Sequence, residues 1–320
     1  MSLKLFLYRK KEAMKRSIER GRYGYCNVLL YHRVNDLEYD PQQLCVSQQN
    51  FEQQLTSLKK DHHFLTLDEF CDILTTQKKF PKNSLLVTFD DGYADNYQNA
   101  LPVLESLGLQ AVFYVATATL NTHDLFWWDE LDLIFRDIEP GLLIDLQNKY
   151  KLDNSTELYK FYLTSCKNAS SLEERSGYIN ELRAKHTVAP GIAGDYRSLT
   201  FDELIQFSAS KSTVIGAHTV NHLALSCLTE DVQRNEISAS VKILSNILKR
   251  DIKHFSFPYG EKSHYNDDTI RICKDLKLKS AAANYYNYTR PVDDIFSFPR
   301  VVVRNDSALV LREKLKQLAS

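Results

Sequence analysis

The segment Leu85-Leu86-Val87-Thr88-Phe89-Asp90-Asp91-Gly92-Tyr93 limits the possible folds most sharply, because an apolar, β-branched run ends abruptly in two carboxylates and a glycine. Such a run suits a strand covered on both faces. Neither carboxylate can lie in that core without a partner. The aspartates therefore belong at the strand's carboxyl end, where α/β proteins build their sites. The same residues also suit a turn followed by a helix cap, so the segment alone leaves both readings open.

A second segment, Val214-Ile215-Gly216-Ala217-His218-Thr219-Val220-Asn221-His222, again carries an apolar strand into polar residues. Two imidazoles four residues apart can reach one ion. Together with one aspartate they supply three protein ligands and an open position, the arrangement of a catalytic zinc site. A third strand end, Phe255-Ser256-Phe257-Pro258-Tyr259-Gly260, stops its ladder at proline and can turn the Tyr-Gly backbone across a pocket mouth.

Strands are expected at residues 26–32, 85–89, 111–116, 213–217, 253–257, 279–283 and 296–303. Helical patterns at 47–60, 95–107, 229–248 and 267–276 separate them. Strict alternation implies a parallel sheet, and polar clusters converging from separate strand ends imply closure into a barrel. Between about residues 120 and 199 the alternation lapses into a polar stretch with helices at 131–138, 157–167 and 171–185. This reads as a helical insertion after the third strand, on the face where barrel loops shape specificity. Trp127 and Trp128 lead into it. Trp127 is a candidate for stacking on a sugar face, with a place in the insertion's core as the other reading.

In this order and on these strands, the segments resemble the polysaccharide deacetylases of carbohydrate esterase family 4, the NodB-homology domain. The T-F-D-D-G motif matches Thr88 to Gly92, and H-[ST]-x-x-H matches His218 to His222. The R-x-P-Y motif matches only in Pro258 and Tyr259, because Ser256 stands in the arginine's place. The resemblance begins at Leu29-Leu30-Tyr31-His32-Arg33-Val34 and runs to about Val303. It implies an α/β fold, a distorted (β/α)7 barrel of parallel strands, and a metal-dependent hydrolase that removes the N-acetyl group from an amino sugar.

By that resemblance Asp91, His218 and His222 bind a divalent metal, Asp90 stays free as general base, and the Tyr259 backbone N–H, beside Pro258, faces the substrate. The metal implied is zinc, with cobalt, nickel or iron also suited to His₂Asp. Two departures stand out. Arg300, at the start of the last expected strand, is a candidate for the charge missing at Ser256, or else a surface arginine. The histidine that many relatives place on the final strand as general acid is absent, and His32 is its candidate substitute, or else a structural histidine bonded to backbone. These departures keep a catalytically silent, metal-holding glycan-binding barrel in view. A deacetylase of acetyl esters or non-sugar amides is the third reading, since fold does not fix substrate.

The chain has 320 residues, 43% hydrophobic and 25% charged, enough for one large α/β domain or two smaller ones. A formal net charge of -1 gives no electrostatic reason to expect nucleic acid as a partner. Six scattered cysteines suggest free thiols rather than a disulfide framework. The amino terminus lacks the long apolar stretch of a signal peptide, so the expected location is cytoplasmic and the expected substrate an N-acetylated glycan or a nucleotide-linked, lipid-linked or oligomeric precursor. Residues 1–22 form a basic amphipathic segment, with Leu3, Phe6, Leu7, Met14 and Ile18 near one face. It reads as a helix packed on the barrel or resting on an anionic membrane; the catalytic barrel is expected over 23–320.

Overall fold

A computed structural model describes residues 23–184 and 194–319; the basic segment expected at 1–22 lies outside them. Ten short strands follow one another as β1 (Cys26–Tyr31), β2 (Arg33–Val34), β3 (Cys45–Val46), β4 (His63–Phe64), β5 (Ser84–Phe89), β6 (Ala111–Val115), β7 (Thr213–Ala217), β8 (His254–Ser256), β9 (Ser280–Ala282) and β10 (Val301–Val302). Seven of them form one parallel sheet in the order β10-β1-β5-β6-β7-β8-β9, with β4 added beside β5. A parallel bridge from Ala282 to Phe298 joins the two ends. The expected distorted barrel of parallel strands is what the chain forms, closed at a narrow seam.

Every residue of β1, β5 and β6 is buried, as strands covered on both faces must be. Successive side chains go to opposite faces, so the strands feed two cores. Leu29, Tyr31, Val87, Phe89, Phe113 and Val115 pack outward against the helices. Val28, Leu86, Val112, Tyr114, Ala282 and Phe298 fill the inside together with Phe70 and Phe80. The strand β1 pairs with β5 along its whole length, Cys26 with Ser84 through Tyr31 with Phe89. That register brings His32 and Asp90, one residue further on, to the same rim.

The helices start where the sequence supplies caps. Ser47 accepts from the Asn50 N–H at the head of Gln48–Lys59, and Thr66–Glu69 and Thr200–Glu203 form capping boxes. Among the described residues, four helices of the insertion follow β6, Trp127–Asp137, Pro140–Tyr150, Ser155–Lys167 and Leu172–Arg183, and a further helix, Phe201–Ala209, leads into β7. The four own a core of Leu131, Ile134, Leu146, Leu158, Tyr162 and Leu182, which also takes in Tyr93, Trp127 and Trp128.

The structure corrects three element boundaries. Pro140–Tyr150 is a helix in the gap between the expected helices 131–138 and 157–167, and proline is well placed at its first position. The stretch expected as a helix from 95 opens with a π-helical turn, Asn96–Ala100, before the α-helix Leu101–Leu107. The last strand is only Val301–Val302, since Phe298 pairs toward β9 instead, accepting from the Ala283 N–H at 2.9 Å. All six cysteines are free.

Phe89 stacks on Phe113 at 4.6 Å and on Tyr31 at 5.3 Å between centroids, one residue before the paired aspartates. Phe89→Ala is expected to cost about 3–5 kcal/mol of stability, read as a lowered urea midpoint with an unchanged m-value.

Candidate metal and catalytic site

The two adjacent aspartates do different work because the backbone turns between them. Asp90 continues β5: its N–H bonds the Tyr31 carbonyl at 3.1 Å, and its side chain keeps the inward parity of Leu86 and Thr88. Asp91 then enters the left-handed region at φ 78°, and Gly92 follows at φ 92°. A Cβ on Gly92 would stand 2.8 Å from Val115 Cγ1, so both the conformation and the space call for glycine. The Ala116 N–H fixes the turn by bonding the Asp91 carbonyl at 3.0 Å.

Asp90 meets a buried guanidinium. Arg300 donates from Nη1 to Oδ1 at 2.7 Å and from Nη2 to Oδ2 at 2.6 Å, a bidentate pair. Its remaining donors reach the Ala283 carbonyl, Thr88 Oγ1 and Ser256 Oγ at 2.7, 3.3 and 2.7 Å. Ser256 also donates to Asp90 at 3.2 Å. The arginine absent at position 256 thus arrives from the neighbouring chain segment, and a surface location for Arg300 is ruled out by its 0% exposure. Burial pushes the Asp90 pKa upward, but the Arg300 charge, then that of His218, outweighs it and holds the carboxyl at about 2.

His218 and His222 turn toward Asp91. His218 Nδ1 lies 2.8 Å from the Ser256 carbonyl, which places a proton there and leaves Nε2 bare. That Nε2 stands 3.6 Å from Asp91 Oδ1, and His222 Nε2 stands 3.4 Å from it. The three ligand atoms lie within 4.8 Å of one another. Bonds of ~2.0–2.1 Å to a tetrahedral centre set ligand atoms about 3.3 Å apart, so the triad fits a divalent cation. Burial lowers both histidine pKa values, that of His222 to about 3, and raises that of Asp91. Neutral imidazoles are the ligating form.

The loop that presents the histidines is strained and pinned. Thr219 and His222 both have positive φ, 65° and 53°. Thr219 Oγ1 accepts from the His222 N–H at 3.0 Å, and Glu236 takes the N–H groups of Val220 and Asn221 at 3.0 and 2.8 Å. Tyr259 is also left-handed, at φ 59°, and Asn284 Nδ2 holds its carbonyl at 3.1 Å. The Tyr259 N–H has no acceptor among the described residues, so it is free to serve a substrate oxygen. Pro258 contributes through its carbonyl, which accepts from the Gly260 N–H.

These groups line a cavity of about 160 Å³ together with His32, Trp127, Trp128, Gln42, Leu44, Leu163, Lys167 and Asn284. His32 therefore reaches the site, with its pKa lowered by burial while Asp91 and Asp90 pull it up. Trp127 is both core and wall: it is 9% exposed and lines the cavity. Trp128 is the neighbour the sequence does not single out. Its ring lies 4.6 Å from that of His222, and its Nε1–H donates to Tyr93 Oη at 2.8 Å, which in turn donates to Asp129 at 2.7 Å. The signal was the W-W-D run itself, whose second ring and carboxylate face the motif tyrosine.

The sequence matches the family profile described as Polysaccharide deacetylase over residues 77–142 and 178–281. The chain belongs to the polysaccharide deacetylase family. It is 24% identical, over 96% of its own length and 83% of the relative's, to the poly-beta-1,6-N-acetyl-D-glucosamine N-deacetylase of Staphylococcus aureus (strain MSSA476). It is also 24% identical to YxkH of Bacillus subtilis (strain 168), covering 76% of this chain and 59% of the length of YxkH. The fold superposes on the Streptococcus pyogenes deacetylase PplD, solved in complex with acetate, with a TM-score of 0.60 at 20% identity, over 92% of this chain and 98% of that one.

Asp91→Ala, His218→Ala and His222→Ala are each expected to lose stoichiometric metal, measured by elemental analysis after gel filtration. Full retention in all three would remove the triad as ligands. Arg300→Ala leaves Asp90 buried without its charge partner, which is expected to cost about 3–5 kcal/mol of stability. The same change removes what keeps the carboxyl ionised, so the Asp90 pKa rises and the acid limb of the pH–rate profile moves upward. An unmoved limb would show that Arg300 does not tune the base.

Proposed function

We propose that this protein is a zinc-dependent deacetylase that hydrolyses the N-acetyl amide of an amino sugar in a glycan or glycan precursor. The observation that carries the reading is the juxtaposition in one open cavity of the Asp91–His218–His222 donor set and the Arg300-locked Asp90. The name of the Staphylococcus relative, an N-deacetylase of an N-acetylglucosamine polymer, supports the substrate class.

Asp91, His218 and His222 hold the cation, and the His₂Asp set with an open position suits zinc. A bound divalent cation supplies Lewis acidity, lowering the pKa of water and polarising an amide carbonyl. Asp90, held ionised by the Arg300 guanidinium, takes the proton of the attacking water. The Tyr259 N–H steadies the carbonyl oxygen as it gains negative charge. His32, on the same rim, passes to the departing nitrogen the proton that Asp90 has taken, which returns both groups to their starting state. The amide C–N bond breaks, acetate leaves with the water's oxygen, and the sugar keeps a free amine.

Acetate release from N-acetylglucosamine oligomers by the zinc-loaded protein tests this directly. Asp90→Asn is expected to retain zinc and to lose ~10²–10⁴-fold in kcat. A variant that keeps both metal and near-normal turnover would exclude Asp90 as the base.

A further inference from the structure

The helical insertion places two cations beside the site that the hydrolytic scheme leaves unused. Lys167, the last residue of the helix Ser155–Lys167, is half-buried and lines the same cavity as Asp91 and both histidines. Its ammonium lies 4.9 Å from the Tyr259 ring centroid, and no carboxylate pairs with it among the described residues. Burial lowers its pKa, and Glu261 pulls the other way more weakly. Arg175, on the next helix, is 6% exposed and donates from Nη1 to the His222 carbonyl at 3.1 Å, again with no carboxylate partner among the described residues. It faces an adjoining cavity of about 210 Å³ that shares Trp127, Trp128 and His222 with the first. Glu130, an acid of that second cavity, is already paired with Arg183.

The carboxylates of the site do not balance these charges. Asp90 is neutralised by Arg300, and Asp91 offsets only part of a divalent cation's charge. Desolvated cations without a paired carboxylate are costly to hold, and here a ring face, one carbonyl and the weaker pull of Glu261 are what the described residues set against that cost. A neutral glycan would not offset it. A glycan already freed of acetyl groups, carrying ammonium groups of its own, would be repelled.

Resting on the deacetylase reading, we propose that the N-acetyl sugar substrate carries an acidic group, a carboxylate or a phosphate ester, which Lys167 receives from the insertion side with Arg175 behind it. Lys167 is then a specificity-determining residue, and the insertion is what selects acidic sugars.

The test compares kcat/KM for acetate release from neutral N-acetylglucosamine trimer with that from N-acetylmuramic acid, N-acetylglucosamine 1-phosphate and UDP-N-acetylglucosamine, using the zinc-loaded full chain. Binding of each acidic sugar is measured in parallel by calorimetry. At least one acidic probe is expected to exceed the neutral one by tenfold or more; the carboxylate and phosphate arms identify the source of the charge. Lys167→Met should cut the acidic-to-neutral ratio at least tenfold, and Lys167→Arg should restore most of it. A neutral probe that is processed as well as the acidic ones, or a ratio unmoved by Lys167→Met, overturns the proposal and leaves the deacetylase reading intact. Acidic sugars that bind in a Lys167-dependent way without any acetate release would instead overturn the deacetylase reading and uphold the anion site.

Discussion

The bidentate contact between Arg300 and Asp90 is the interaction on which the rest of the site is built. A guanidinium at 0% exposure is tolerable only if its donors are all used, and here they bind a carboxylate, two hydroxyls and a carbonyl. Those partners belong to β5, to β8 and to the residue after β9, while Arg300 itself precedes β10. The barrel seam between β9 and the last segment has a single bridge. The same side chain therefore fastens a narrow join of the ring and holds the Asp90 carboxyl ionised.

Two carboxylates in succession would repel if both faced one point. The left-handed turn at Asp91 separates them: Asp90 remains with the inward row of β5, and Asp91 swings toward the histidines. Backbone of this kind costs ~1–3 kcal/mol per residue where a side chain is present. Around the cavity it recurs at Thr219, His222 and Tyr259. The Ala116 N–H, the Thr219 hydroxyl, Glu236 and Asn284 hold these turns, so strain stored around the cavity is met by hydrogen bonds just outside it.

The parts legible in the sequence were those encoded within a few residues. Strand β7 has the expected bounds because Gly216 and the β-branched residues before it admit little else, and the donor set follows from two strand ends whose ligand-type residues have no apolar role. The contact of Arg300 with Asp90 spans 210 residues and depends on barrel closure, which local pattern does not encode. Arg300 was in view as a candidate for the charge missing at Ser256, but linear order could not decide between that place and a surface one. Trp128 was hidden by its neighbour: only the pitch of the helix Trp127–Asp137 decides which ring lies against His222. Lys167 entered only as the end of the expected helix 157–167, because a basic residue in a last turn is common and carries no signal of a site.

The aromatic rings that steady His222 belong as much to the insertion as to the barrel. Phe126 stacks on Trp128 at 4.6 Å, and both share a core with Leu158, Tyr162 and Leu182. His222 Nδ1, unlike that of His218, has no hydrogen-bond partner among the described residues, so its ring orientation rests on these neighbours. Loosening the four added helices would thus release the histidine while the sheet stays whole. Inactivation on heating should set in at a lower temperature than global melting, which makes the appended helices the thermal fuse of the enzyme.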